Sequence, residues 1–110
     1  MLNYNQKIAV MRVLLDIIYA DGRIDYREIS LYNNLLSKLD LPIESKEQIE
    51  KKSSLIALLS IKNFTENQKI YFADLMDKMI RVDEDINLNE VAIYDVVIDY
   101  CNIPIPFESK

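Results

Sequence analysis

Apolar side chains recur every three or four positions along most of the chain, the spacing that lays a stripe along one side of a helix. Ile8, Met11, Leu15 and Ile18, widened by Leu14 and Ile17, predict a first helix over 5–20. It is expected to end at Asp21-Gly22, since glycine accepts the left-handed backbone that closes helices. Ile29, Tyr32, Leu35, Leu36 and Leu39 predict a second helix over 26–39, stopped before Pro42. Asp25 precedes it with Glu28 three residues on, an acidic form of the capping box. Ser45/Gln48, Thr65/Gln68 and Asn87/Glu90 repeat that spacing and predict helices over 46–52, over 66–82 and from Asn87 to Cys101. A further short helix over 54–61 carries the apolar run 55–59, and Pro104 and Pro106 keep the tail 102–110 out of regular helix. No stretch alternates with period two, so the chain reads as all-α.

Sliding the sequence over itself by sixty-two positions aligns Asp21, Ile24, Glu28 and Tyr32 with Asp83, Ile86, Glu90 and Tyr94, all identities. Around them Ile17/Met79, Asp25/Asn87, Ile29/Val91, Leu35/Val97 and Leu36/Ile98 are conservative pairs, and the match runs on into Leu41-Pro42-Ile43 over Ile103-Pro104-Ile105. The repeated unit, about 8–43 and 70–105, is a helix, an acidic turn, a capped helix and a proline stop. Two such hairpins bury their apolar faces against each other with approximate twofold symmetry, and short central helices close the bundle. The expectation is one helical domain over 1–110. In it Tyr32 and Tyr94 pack with their hydroxyls at the surface, Ile24 and Ile86 plug the core, and Cys101, which falls where Leu39 stands in the first copy, is a core thiol.

Composition narrows the chemistry. The 110 residues contain no His and one Cys, which removes His-based acid–base catalysis, Ser-His-Asp triads, disulfides and His- or Cys-rich metal sites. A single glycine removes a phosphate-cradling glycine loop. No apolar run approaches the ~20 residues needed to span a bilayer, and the N-terminal residues lack the charged and apolar regions of a signal peptide, so a cytoplasmic protein without direct membrane insertion is expected. The net charge of −5 is uneven: residues 1–60 hold eight acids and eight bases, residues 61–110 ten acids and five bases. That balance argues against nucleic acid, whose binding relies on Lys and Arg displacing counterions, and favours cations or a basic protein surface.

The two turns carry the candidate chemistry. Asp21, Gly22, Ile24, Asp25 and Glu28 reproduce the second half of a calcium-binding EF-hand loop. The first half is missing, because Ile17 and Tyr19, and in the second copy Met79 and Arg81, stand where oxygen ligands belong. Asp21, Asp25, Glu28, Asp83, Asp85 and Glu90 are the candidate ligands for Ca2+ or Mg2+, with no cofactor required. Asp83, Glu84 and Asp85 in succession are the candidate docking surface for a basic partner, with Asp74, Asp77, Asp95 and Asp99 on the flanking helices and Lys78 and Arg81 as nearby counter-charge. Helix capping alone is the competing explanation for Asp25/Glu28 and Asn87/Glu90.

The apolar helix running into Ala20-Asp21-Gly22, followed by Ile24, Asp25 and Glu28, resembles the signature of the TerB-like family, named for a tellurite-resistance protein. The second copy, with Asp83, Ile86 and Glu90, is similar, departing at Glu84 for Gly and at Asn87. The resemblance spans roughly residues 5–103. It implies an all-helical fold of two related halves, an acidic surface, and a divalent-cation or protein-interaction role in bacterial stress responses with membrane-associated partners. The leading expectation is therefore a non-enzymatic interaction module, responsive to divalent cations. A carboxylate-based calcium or magnesium protein is the alternative, and a metal-dependent hydrolase a remote one.

Overall fold

The computed structural model describes residues 1–108. It contains six helices: α1 (Tyr4–Ile18), α2 (Tyr26–Lys38), α3 (Ser45–Lys51), α4 (Ser54–Lys62), α5 (Glu66–Arg81) and α6 (Leu88–Cys101). No strand occurs among the described residues, and the helices form a single bundle around one core.

The helices begin where side chains can satisfy free backbone amides. Thr65 and Gln68 form the full reciprocal capping box expected of them. Asn3 and Gln6 form another at the start of α1, which the periodicity reading passed over. Ser45 does not open α3 as a cap. It is the first helical residue, fully buried, and its hydroxyl shares a 2.9 Å hydrogen bond with that of Tyr4, so tertiary packing has taken the group that capping would use. The first helix also stops earlier than expected, at Ile18, with Tyr19 as its cap; Gly22 takes its left-handed φ of 77° inside the turn that follows.

α1 is the hub. Ile8, Ala9, Val10, Met11, Val13, Leu14, Leu15, Ile17 and Ile18 are all buried, and the helix packs against each of the other five. The two hairpins therefore do not simply face each other beneath a lid of short helices. α4 is wedged against both α1 and α6, α2 rests mainly on α1, and α6 packs on α1, α4 and α5. α4 is apolar nearly all round, yet buries only Ala57 and Ile61 and leaves Leu55, Ile56 and Leu59 exposed.

Tyr32 and Tyr94 are buried, as their repeat positions predict, but the Tyr94 hydroxyl is not at the surface: it donates to the Ile105 carbonyl at 2.7 Å. Burial holds the Tyr32 hydroxyl's pKa up at about 12. Cys101 is a core thiol, and burial raises its pKa. Ile24 corrects the expected plug, being 58% exposed, whereas Ile86 does pack against the core. The tail folds back on the body through Ile103, Ile105 and Phe107; Ser109 and Lys110, the end of the expected tail, lie outside the described residues. Among the described residues no helix is long and apolar enough to cross a membrane.

Candidate functional site at the junction of the two acidic turns

Each acidic turn runs from the C-terminus of one long helix to the N-terminus of the next, and the fold brings the two side by side. A hydrogen bond from the Asn87 side-chain amide to Asp21 Oδ2, at 2.8 Å, ties them together. Between them lies a polar pocket of about 260 Å³, whose lining includes Asp21, Asp25, Glu28, Asp83, Asp85 and Glu90. Six acids more than fifty residues apart at the extremes are thereby gathered around one cavity. Glu84 does not line it, and neither do Asp74, Asp77, Asp95 or Asp99. Asp74 and Asp77 are instead paired within α5 to Lys78 at 2.9 Å and Arg81 at 3.0 Å.

The backbone of the two turns is alike. Gly22 sits at φ 77°, and Glu84 at the repeat-equivalent position sits at φ 65°, so the departure from glycine has not changed the turn. A non-glycine residue there costs about 1–2 kcal/mol of steric strain. Asp21 accepts from the Arg23 amide at 3.0 Å and Asp83 from the Asp85 amide at 3.2 Å, the same local bond in both copies. Asp25 caps α2 by accepting from the Arg27 amide at 2.8 Å, and Asn87 caps α6 by accepting from Asn89 and Glu90 at 2.8 and 3.2 Å.

Glu28 and Glu90 do something beyond capping. Both are buried, 2% and 3% exposed, and they face each other across the junction as a hydrogen-bonded carboxyl pair. Glu28 Oε2 and Glu90 Oε1 are buried with no hydrogen-bond partner. Burial raises the pKa of Glu90, to about 9, and its hydrogen bond with Glu28, that neighbour's charge, and the charges of Asp83 and Asp21 push the same way. Burial also raises Glu28, opposed by its hydrogen bond to Glu90 and the Asp25 amide. Two carboxyls so close cannot both ionise cheaply, so the pair favours retaining a proton.

The rim is electrostatically lopsided. The Arg27 guanidinium lies 3.1 Å from Asp25 and holds its carboxyl below the usual range, and Arg23 lies 3.9 Å from Asp21. Among the described residues no Lys or Arg comes within ion-pair distance of Asp83, Glu84 or Asp85, although the field of Asp83 is felt by Arg27. Arg23 and Arg27 are the pocket residues that the motif reading missed. Their signal is in the repeat: sixty-two positions on stand Asp85 and Asn89, so the arginines belong to one copy only.

The oxygen donors are of the hard kind that Ca2+ and Mg2+ prefer, and two of them are orphaned and buried. As placed, however, no group of three or more acidic or Cys side chains among the described residues is set to hold a metal ion. A bound cation would require the rim carboxylates to close in.

No family model matches the chain, and no curated protein matches it. Its fold is that of a solved protein. The crystal structure of a protein of unknown function from Porphyromonas gingivalis W83 matches with a TM-score of 0.76 at 19% sequence identity, over 96% of this chain and 90% of that one. That likeness shows the helical architecture to be an established one.

Proposed function

We propose that the chain is a non-enzymatic, TerB-like interaction module of a bacterial stress response, acting in the cytoplasm, and that a basic protein partner docks on the second acidic turn. The observation that carries this reading is the charge imbalance across the junction. The first turn meets its acids with its own Arg23 and Arg27, whereas Asp83, Glu84 and Asp85 have no ion-pair partner among the described residues. Uncompensated carboxylates on adjoining positions raise the local negative potential and draw a cationic surface towards the turn. The TerB-like motif residues Asp21, Asp25, Glu28, Asp83 and Glu90 support the family assignment and, with it, a membrane-associated partner.

Titrating a lysine tetrapeptide at low ionic strength while following the backbone amide resonances of residues 83–85 tests the docking reading. The parent is expected to shift at those amides, and Glu84→Lys/Asp85→Lys is expected to abolish the shift with the fold intact. An unresponsive second turn in the parent overturns it.

A second reading, a divalent cation seated at the junction, is favoured by the orphaned buried oxygens of Glu28 and Glu90, two residues that line the pocket. Asp21, Asp83 and Asp85 would complete an all-oxygen ligand set. Thermal unfolding of metal-stripped protein with calcium or magnesium, against a salt control of equal ionic strength, separates the two readings: a cation at a hundred times its Kd adds ~2.7 kcal/mol, and no selective rise leaves protein docking alone.

A further inference from the structure

The base nearest the second turn in the chain makes no ion pair with it. Arg81 ends α5, two positions before Asp83, and is the nearest base in the sequence to the uncompensated acids. Its guanidinium is committed elsewhere through Nε, Nη2 and one face. Nε lies 3.0 Å from both Asp77 oxygens, Nη2 donates to the Glu108 carbonyl, and the group stacks 4.4 Å above the Phe107 ring. Phe107 is itself held edge-on to Tyr94, with ring centroids 5.4 Å apart, and Tyr94 donates to the Ile105 carbonyl. The tail 103–108 is thus a strap pinned at Ile105 and Phe107, and two of the three things that hold Arg81 belong to it.

We infer that this strap keeps Arg81 away from the second acidic turn and thereby preserves the turn's negative charge for a basic partner, an inference that rests on the docking reading above. With the strap in place the arginine is satisfied by a carboxylate, a carbonyl and an aromatic face. With it released, the long flexible side chain keeps only Asp77 and has acids two residues away within reach. The first repeat shows the alternative: there the arginines are built into the turn, at 23 and 27, and the position equivalent to Arg81 is Tyr19. One copy neutralises its acids internally, and the other stores its arginine against the tail.

The test is a double-mutant cycle on Phe107 and Arg81, read as affinity for a lysine tetrapeptide at low ionic strength and as shifts of the 83–85 amides. Phe107→Ala should weaken binding about fivefold, as a freed cation moves onto the turn. Arg81→Gln should bind as well as the parent or slightly better, and Phe107→Ala/Arg81→Gln should recover that level. Phe107→Leu, which keeps an apolar contact on Tyr94 but offers Arg81 no ring face, should weaken binding in the same direction and replaces the alanine variant should that one not fold. Parent-like affinity in the folded Phe107 variants, or a double variant as weak as Phe107→Ala, overturns the strap's role while leaving docking intact. A parent that fails to bind removes the docking reading, and the strap's role with it.

Discussion

The two acidic turns share a backbone and differ in how they handle charge. Both place an aspartate that accepts a backbone amide two residues on, both carry one residue at positive φ, and both end in a capped helix. Yet Arg23 and Arg27 in the first are Asp85 and Asn89 in the second. The lesson is that a repeated fold unit fixes where carboxylates sit, while the side chains between them decide whether those carboxylates are spent on structure or left available. The identities Asp21/Asp83 and Glu28/Glu90 preserve the scaffold, and the differences set the surface.

The largest expected effect concerns the buried pair beneath both turns. An unfolded Glu90 titrates near the ordinary value of 4.5, whereas in the folded protein it titrates near 9. Between those limits the folded state binds the extra proton, so stability is greatest at the acidic end of the window and falls as pH rises. The limiting slope is about 1.4 kcal/mol per pH unit. Urea denaturation at pH 5.5, 7.0 and 8.5 should show this decline, and Glu90→Gln, which keeps the neutral form at every pH, should flatten it. A profile for Glu90→Gln as steep as the parent's would mean that the pair does not share a proton.

Exchanging the charges comes next. Asp85→Arg/Asn89→Arg transplants the first turn's arginines onto the second and is expected to weaken binding of a lysine tetrapeptide by at least tenfold, about 1.4 kcal/mol. Arg23→Asp/Arg27→Asn does the reverse and should raise the first turn's affinity for the same peptide. If neither exchange moves the affinity, charge compensation is not what separates the two copies.

Backbone strain gives a smaller contrast. A Cβ at Gly22 would meet no atom within 4 Å, so Gly22→Ala carries only the strain of its left-handed φ and should destabilise by about 1 kcal/mol. Glu84→Gly removes that strain but loosens the unfolded chain, for a net gain of ~0.5 kcal/mol. Equal responses in chemical denaturation would show the two turns to differ in backbone after all. Comparable in effect to Gly22→Ala, Tyr94→Phe leaves the Ile105 carbonyl without its donor and should cost about 1 kcal/mol. Tyr32→Phe, which removes no tail contact, should cost less.

Much of the helical layout was legible because capping and periodicity are local. Thr65 and Gln68 meet each other along three residues of chain, and the stripe Ile8, Met11, Leu15 and Ile18 is buried as its spacing demands. The helix number followed from the same signals, whereas the meeting of the two acidic turns at one pocket is set by tertiary packing that no local signal carries. The misreadings arose where a side chain had two possible partners and tertiary structure chose. Ser45 had the spacing of a cap and became a packing residue. Glu28 and Glu90 have the spacing of capping-box acids, and Glu28 does bond back to the Asp25 amide, but both are also buried against each other, which no short-range pattern distinguishes. α4, apolar on nearly every side, carries no periodic signal of which face is buried. Arg23 and Arg27 needed a comparison between copies rather than a motif within one.

The central position of α1 has a consequence for how the chain becomes structured. A duplicated sequence suggests two units that fold separately and then dock, but α5 and α6 of the second repeat pack on α1 as well as on each other, and α4 bridges the first helix to the last. Cutting the chain between α3 and α4 would therefore leave the nine buried residues of α1 in one fragment and much of what covers them in the other. The duplicated halves are consequently expected to unfold as a single cooperative unit, because the apolar face of α1 is hidden only once α4, α5 and α6 are in place.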